Sequence, residues 1–472
     1  MTRFSNTKGF ILGAVSSGAG KTAAASAICR LLSESGMTVQ PFKTGPDFID
    51  TSYLAISSGR TCRNLDGFPC PELMPFFYAE SCGYAPAADI AVIEGVMGLY
   101  DGLGPDGEYS TAWLARNLDL PVVLLVDARS AATSVAAVAK GFADLKPLAP
   151  RIAGVIANRV SGEHHAELIR EALGRFTGLP LLGWLPNIKD DSFPSRHLGL
   201  VPASEHKSSA ATIDNYARAL REHLDADLLR AIAGAPSGQY IEPKIPPPIR
   251  KPDGAPVRAA VADDDAFCFH YRENWRLLER LGAEIKTISP IRGNGVPEDT
   301  DLLILPGGYP EEFSAELSGN AEFMKSVSNF TREGCVYAEC GGMLYLSRSM
   351  SYRGQERAMT GVIEADVKMT GRLSRFGYVE GTALRDNLLM RSGESVRAHE
   401  FHYSRLDGRE PDAYSVKKFS RPGETWTDGY VMEDGRLLAS YLHINFYSRP
   451  ESAERMLKRA ACKTRPRREE VE

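Results

Sequence analysis

The chain has 472 residues, 43% hydrophobic and 24% charged, with a formal net charge of −5. That length exceeds one compact core and predicts two or three domains of an ordinary globular protein, and the charge offers no surface for nucleic acid or an anionic membrane. No apolar run could span a bilayer, MTRFSNTKGF lacks the apolar core and cleavage site of a secretory leader, and eight cysteines without a CxxC pair point to reduced thiols in a cytoplasmic compartment.

In chain order, GFILGAV (9–15), ADIAVIEGV (88–96), LPVVLLVDA (120–128) and RIAGVIANRV (151–160) read as buried parallel strands, with helical stretches such as residues 22–35 between them. Strands alternating with helices predict an α/β domain whose sheet is covered on both faces. Domain limits are expected at 1–204 for this unit, 205–256 for a helical and then proline-rich linker, 257–450 for a second domain and 451–472 for a charged, solvated tail. The fold class is therefore two tandem α/β domains.

The first strand runs into SSGAGKT (16–22) and then a helix. Backbone N–H groups of Ser17, Gly18, Ala19 and Gly20 would cradle nucleotide phosphates at the helix N-terminus, Lys21 would reach the outer phosphates, and the Thr22 hydroxyl would ligate Mg2+. The common GxxxxGK[ST] spacing wants glycine where Val15 stands. The loop instead fits a form one residue longer, with Ala14 at its first glycine.

FKTGPDFID (42–50) and VIEGVMGLYDG (92–102) follow strands, where ligands collect in open α/β sheets. Asp47 and Glu94 with Thr22 form the expected magnesium set. Lys43, Asp50 and Asp101 are assigned to substrate or transition state.

In the second half, VRAAVADDDAF (257–267), DLLILPGG (301–308) and CVYAE (335–339) are expected strands, with helices over 270–282 and 312–333 and a strand-rich stretch over 351–441. Cys340 falls on a strand-to-helix turn, which exposes a nucleophile and aims a helix N-terminus at it. Gly341 and Gly308 are the expected oxyanion donors. His443, late in the domain, is the expected base. HEFHYS (399–404) lacks the HExxH spacing of a zinc site and is expected to be structural or to contact substrate; Arg397, His399, Glu400 and His402 receive no individual role.

Together SSGAGKT, FKTGPDFID, RNLDGF, IEGVMGLYDG, PSRHLGLVPASE, LPGGYPEE, YAECGGMLYL, HEFHYS and ASYLHINF resemble the cobyrinic acid a,c-diamide synthases from about residue 10 to 448. The resemblance implies a dethiobiotin-synthetase-like P-loop domain and a class I glutamine amidotransferase domain, with ATP, glutamine and a corrin or related tetrapyrrole polycarboxylate as substrates. It is compatible with a homodimer. Class I enzymes commonly carry a glutamate two residues after the histidine; here His443-Ile444-Asn445 lacks it.

Rivals with the same mechanism are cobyric acid synthase, which shares the two-domain plan but amidates other side chains, and enzymes that act on hydrogenobyrinic acid, sirohydrochlorin, nickel-sirohydrochlorin or sirohaem. A different class, the P-loop switch ATPase, would place its signature lysine where Ser16 stands and has no counterpart of the Cys340 domain.

Overall fold

The computed structural model describes residues 7–188, 195–196, 199–200, 208–237, 241–421 and 423–462. It divides into two units, Met1–Glu242 and Pro243–Glu472.

The first unit runs β1 (Lys8–Ala14), α1 (Lys21–Glu34), β2 (Val39–Thr44), α2 (Asp50–Ser58), β3 (Arg63–Leu65), α3 (Met74–Gly83), β4 (Ile90–Glu94), α4 (Thr111–Leu118), β5 (Val122–Asp127), α5 (Thr133–Asp144), β6 (Ile152–Val160), α6 (Glu163–Thr177) and β7 (Leu181–Pro186). Two short strands, β8 (Ser195–Arg196) and β9 (Gly199–Leu200), then pair antiparallel, followed by α7 (Ser209–Arg221) and α8 (Ala226–Ile232). The parallel sheet has the order β3-β2-β4-β1-β5-β6-β7. Every residue of β2 and β4 is buried, as expected of strands covered on both faces. Central β1 lies between β4 and β5, so its outgoing loop emerges beside the carboxyl ends of β2 and β4.

Residues 208–232, expected in a linker, belong to the first unit. Here α7 packs on α1, with Ile213, Ala217 and Leu220 buried and an Arg30–Asp214 ion pair of 3.1 Å across the two helices. Gly234 then pairs with Gly9 at the start of β1. Burial of one apolar stripe ties this segment to the first unit.

The second unit begins β10 (Arg258–Ala262), α9 (Arg272–Arg280), β11 (Glu284–Ile288), β12 (Leu302–Leu305), α10 (Ser314–Gly319), α11 (Ala321–Thr331), β13 (Cys335–Glu339) and α12 (Gly341–Leu346). The strand-rich part comprises β14 (Ser347–Tyr352), β15 (Gln355–Ala358), β16 (Ile363–Met369), β17 (Arg375–Ala383), β18 (Ser395–His402), β19 (Ser404–Gly408), β20 (Tyr414–Lys418), β21 (Thr425–Asp428), β22 (Tyr430–Met432) and β23 (Leu437–Ser440). The main sheet is β11-β10-β12-β13-β23-β22, parallel except for β22 on β23; two four-stranded sheets, β15-β14-β16-β19 and β18-β17-β20-β21, complete the unit.

The last element among the described residues is α13 (Pro450–Ala461), which corrects the expectation of a solvated tail from 451. Ala453, Met456, Leu457 and Ala460 recur at helical spacing and are all buried. The strongly charged residues beyond 462 lie outside the described residues.

Candidate active sites

The loop after β1 turns through Gly18 and Gly20, both left-handed (φ 75° and 95°), before α1 begins without a side-chain cap. Its first N–H groups are thereby left for an anion. Two side chains from β6 brace this loop: Asn158 Nδ2 donates to the Ala19 carbonyl at 2.8 Å, and an Arg159 Nη donates to the Gly18 carbonyl at 3.2 Å. Arg159 is itself held by Asp127 at the end of β5, at 2.7 Å. Lys21 Nζ donates to the Met97 and Ser16 carbonyls at 2.5 and 3.3 Å. Burial, helped by the charge of Lys43, pulls its pKa down to about 8.

The acids converge on a buried ammonium. Lys43 Nζ lies 2.6 Å from Asp50, 2.7 Å from Glu94 and 3.7 Å from Asp47. Thr22 Oγ1 donates to Glu94 at 2.8 Å and to Asp50 at 3.1 Å. Burial opposes the Lys43 charge, but the three carboxylates hold its pKa well above the usual lysine value. One cation cannot neutralise three acids, of which Glu94 is fully buried and Asp47 and Asp50 are partly exposed. Burial pushes Glu94 up to about 7, and burial with the Asp50 charge pushes Asp47 up to about 6. Asp50, closest to the ammonium, is drawn below the ordinary carboxylate value despite its burial.

Of the expected magnesium set, Thr22 and Glu94 are in contact, whereas Asp47 Oδ1 accepts from the Ile49 and Asp50 N–H groups at the start of α2. Asp50 stands in its place beside Thr22. Asp101 is exposed and accepts from Gly98 N at 3.0 Å, shaping the loop whose Met97 carbonyl holds Lys21. Glu94 Oε2 is buried without a hydrogen-bond partner, as a cation ligand in waiting would be. Among the described residues no group of three or more His, Cys, Asp or Glu forms a ready-made metal cage, since Lys43 fills the space between these acids. An ion here would draw on phosphate oxygens and water as well as protein.

In the second unit Cys340 sits between β13 and α12 with φ 40° and ψ −103°, a strained conformation for a residue with a Cβ. Such a turn costs on the order of 1–3 kcal/mol and persists because both flanking elements are buried. Cys340 N donates to Ser440 O at 2.7 Å, docking the turn on β23, three residues before His443. A Cβ on Gly341 would stand 3.0 Å from Gly308 N, so the two expected oxyanion donors are neighbours. A Cβ on Gly307 would stand 2.4 Å from His443 Cε1; only glycine lets the turn after β12 approach the imidazole so closely. Burial, reinforced by the Glu311 charge, pushes the Cys340 thiol up and keeps it protonated, so a base must remove its proton.

The loop carrying His443 is pinned at both ends. Asn274 of α9 donates to Ile444 O and accepts from Phe446 N, both at 2.7 Å. His399 pairs with His443 through both backbone N–H groups, and its ring stacks on His443 with centroids 4.8 Å apart. Burial and the neighbouring His443 hold His399 well below the usual histidine value, hence neutral.

HEFHYS thus supplies a wall of the thiol site through His399, while Glu400, His402 and Ser404 are also buried. His402 stacks on Tyr441 at 3.6 Å and burial lowers its pKa to about 3. Glu400 is fully buried with neither carboxyl oxygen hydrogen-bonded, and burial with the Asp428 charge raises it to about 8.

Sequence reasoning missed Glu339. Its Oε2 lies 3.6 Å from His443 Nδ1, while Oε1 accepts from Tyr337 Oη at 2.5 Å and Ile444 N at 3.1 Å. Asn445, at the position where class I enzymes commonly carry glutamate, instead accepts from Tyr447 N at 3.0 Å in a 3-10 turn.

Two family models match the two units: a CobQ/CobB/MinD/ParA nucleotide binding domain over residues 10–201 and a CobB/CobQ-like glutamine amidotransferase domain over 258–451. The cobyrinate a,c-diamide synthase of Salmonella typhimurium is 40% identical over 459 residues, 95% of this chain and 97% of that protein. That of Limosilactobacillus reuteri is 39% identical over 453 residues, 94% and 97% of the two chains. The chain belongs to the cobyrinate a,c-diamide synthase family. As a member of the cobyrinate a,c-diamide synthase family it is a glutamine-dependent amidoligase with an ATP-binding domain. The family motifs around Lys21, Asp50, Glu94, Cys340 and His443 fall within the two matches. PSRHLGLVPASE lies outside the described residues apart from the backbone of β8 and β9. No helix among the described residues is long and apolar enough to cross a membrane.

Proposed function

We propose that the chain converts the a and c acetate carboxylates of cobyrinic acid into carboxamides in cobalamin biosynthesis, using ATP and the amide nitrogen of glutamine, in the cytoplasm. The observation that carries this reading is similarity to a synthase of that name over 95% of the chain, supported by the clustering of Lys43 with Glu94 and of Glu339 with His443.

In the second unit His443 takes the Cys340 proton, and the sulfur attacks the glutamine side-chain carbonyl. Gly308 and Gly341 N–H groups hold the oxyanion, His443 protonates the leaving nitrogen, and ammonia departs from a γ-glutamyl thioester. Water attacks that thioester, releasing glutamate and restoring the thiol.

In the first unit a carboxylate oxygen of the substrate attacks the γ-phosphorus of ATP, forming an acyl phosphate and ADP. Ammonia then attacks the acyl carbon; the C–O bond to phosphate breaks, and phosphate and a proton leave with the amide formed. Hydroxide is too poor a leaving group for direct amidation, which explains the need for ATP. Loop N–H groups from Ser17 to Gly20 and Lys21 hold the phosphates, and Lys43 offsets charge developing in transfer. Thr22 and Glu94, with Asp50 in the place first given to Asp47, would hold Mg2+, which when bound supplies charge neutralisation at the β- and γ-phosphates. Asp47 then sets the N-terminus of α2 and so the direction of Asp50.

A nitrogen-source assay tests the division of labour. Cys340→Ala abolishes glutamine-driven amidation and retains amidation driven by ammonium salt. Equal loss with both donors contradicts a role confined to glutamine hydrolysis.

A further inference from the structure

We infer that Glu339 is the positioning carboxylate of the glutamine-hydrolysing site, reaching His443 from the residue before the nucleophile rather than from the segment after the histidine. This inference rests on the assignment of Cys340 and His443 made above.

The argument starts from strand geometry. In β13, Tyr337 and Glu339 point to the same face, two residues apart. The register of β13 on β23 sets Glu339 opposite Ser440, three residues short of His443. The carboxylate is consequently anchored on one oxygen and aimed with the other. Oε1 accepts the Tyr337 hydroxyl at 2.5 Å and the Ile444 N–H at 3.1 Å, and Oε2 faces His443 Nδ1 at 3.6 Å.

Burial, with the adjacent Glu339 charge, pushes the Tyr337 hydroxyl well above its usual value, so it stays a donor. One side chain therefore fixes both the backbone after His443 and the face of its ring. The Cε1–Nε2 edge of the imidazole meets the Gly307 turn. The other ionisable groups around the pair are His399, stacked on the imidazole from β18, His402, which feels the His443 charge, His270 and Tyr414, which feel the Glu339 charge, and Cys340 itself, on which Glu311 and Asp428 also act.

The chemistry needs such a group. When the Cys340 proton passes to His443, a thiolate and an imidazolium form in a site from which water is largely excluded, with Cys340 5% and His443 1% exposed. A carboxylate facing Nδ1 stabilises that imidazolium and holds the ring so that its other nitrogen serves sulfur. A contact of 3.6 Å is longer than a hydrogen bond, and catalytic contacts that are long in the free enzyme often tighten only in the complex with substrate or transition state. Asn445 could not serve, since its side-chain oxygen is engaged by Tyr447 N.

The test compares Glu339→Gln, Glu339→Asp and Cys340→Ala in the full chain, measuring glutamine hydrolysis, amidation with ammonium salt and thermal unfolding. Glu339→Gln keeps the shape and loses the charge. The expected result is a fall in kcat for glutamine hydrolysis of roughly 10- to 100-fold. KM for glutamine and the ammonium-driven rate stay within about twofold, iodoacetamide alkylates Cys340 more slowly, and Glu339→Asp recovers part of the loss. Glutamine hydrolysis by Glu339→Gln within about twofold of the parent overturns the inference while leaving Cys340 and His443 in place. Loss of ammonium-driven amidation in step with a drop in unfolding temperature also overturns it, in favour of a purely structural role. If Cys340→Ala itself still hydrolyses glutamine, the assignment beneath the inference fails first, and that outcome is separable from the other two.

Discussion

Lys43 Nζ lies 2.7 Å from Glu94 Oε1 with both side chains almost wholly buried, and Asp50 completes the contact at 2.6 Å. In the proposed mechanism this ammonium meets the phosphate of ATP, and the acids that hold it also face Thr22. Replacing Lys43 with alanine removes the ammonium paired directly with Glu94 and Asp50, leaving Lys21 as a nearby cation in ion-pair contact with neither among the described residues. Lys43→Ala is expected to lose about 3–5 kcal/mol of stability and at least roughly 100-fold in ammonium-driven amidation. Thermal unfolding and ADP formation read the two effects. A variant with near-normal rates would remove Lys43 from the reaction.

Gly307 and His443 carry a second prediction. Gly307→Ala forces a methyl against the imidazole, which must shift. Displacement of about 1 Å is worth on the order of 100-fold in rate. Glutamine-driven turnover should fall by that order, with ammonium-driven turnover unaffected and about 1–3 kcal/mol lost from overpacking. Unchanged glutamine hydrolysis would mean that His443 is not the base.

Glu400 makes stability depend on pH. Burial raises its folded pKa to about 8, so the folded chain keeps a proton that the unfolded chain releases near the usual glutamate pKa. Stability conferred by the neutral acid is therefore lost progressively as pH rises from about 4.5 to about 8. Glu400→Gln should remove this slope and be the more stable protein at about pH 8, by about 1–3 kcal/mol, with little difference near pH 4.5. Denaturant titration at both pH values checks it; parallel stability profiles would contradict the assignment.

The final helix is the fourth. Leu457 is fully buried. Leu457→Ala should cost about 2–5 kcal/mol of stability in the second unit, whereas a solvated tail would lose nothing. Chemical denaturation followed by a probe within residues 243–462 separates the two.

Several features of these sites could be read without coordinates. CVYAE became β13 residue for residue, Cys340 fell at its end, and the loop before Lys21 opened α1, because local periodicity and glycine chemistry decide such elements. What escaped depended on contacts distant in sequence. The stripe Ala453, Met456, Leu457, Ala460 was legible as helical spacing, but the surrounding charges suggested solvent; Ile213, Ala217 and Leu220 posed the same choice in α7. Asp50 replaced Asp47 beside Thr22 because the first turn of α2 is capped by Asp47, a detail of local backbone direction. Glu339 was hidden because only the register of β13 on β23 brings the residue before Cys340 to His443, more than a hundred positions away.

The central claim is tested most directly by incubating the purified chain with ATP, magnesium and glutamine against cobyrinic acid, hydrogenobyrinic acid, sirohydrochlorin, nickel-sirohydrochlorin and sirohaem, and counting new amides by mass spectrometry. The account predicts two amides on cobyrinic acid, with matching formation of ADP and glutamate. Preference for a sirohydrochlorin species would contradict the assigned substrate and leave the chemistry standing. ATP hydrolysis with no tetrapyrrole amidated would contradict the account as a whole.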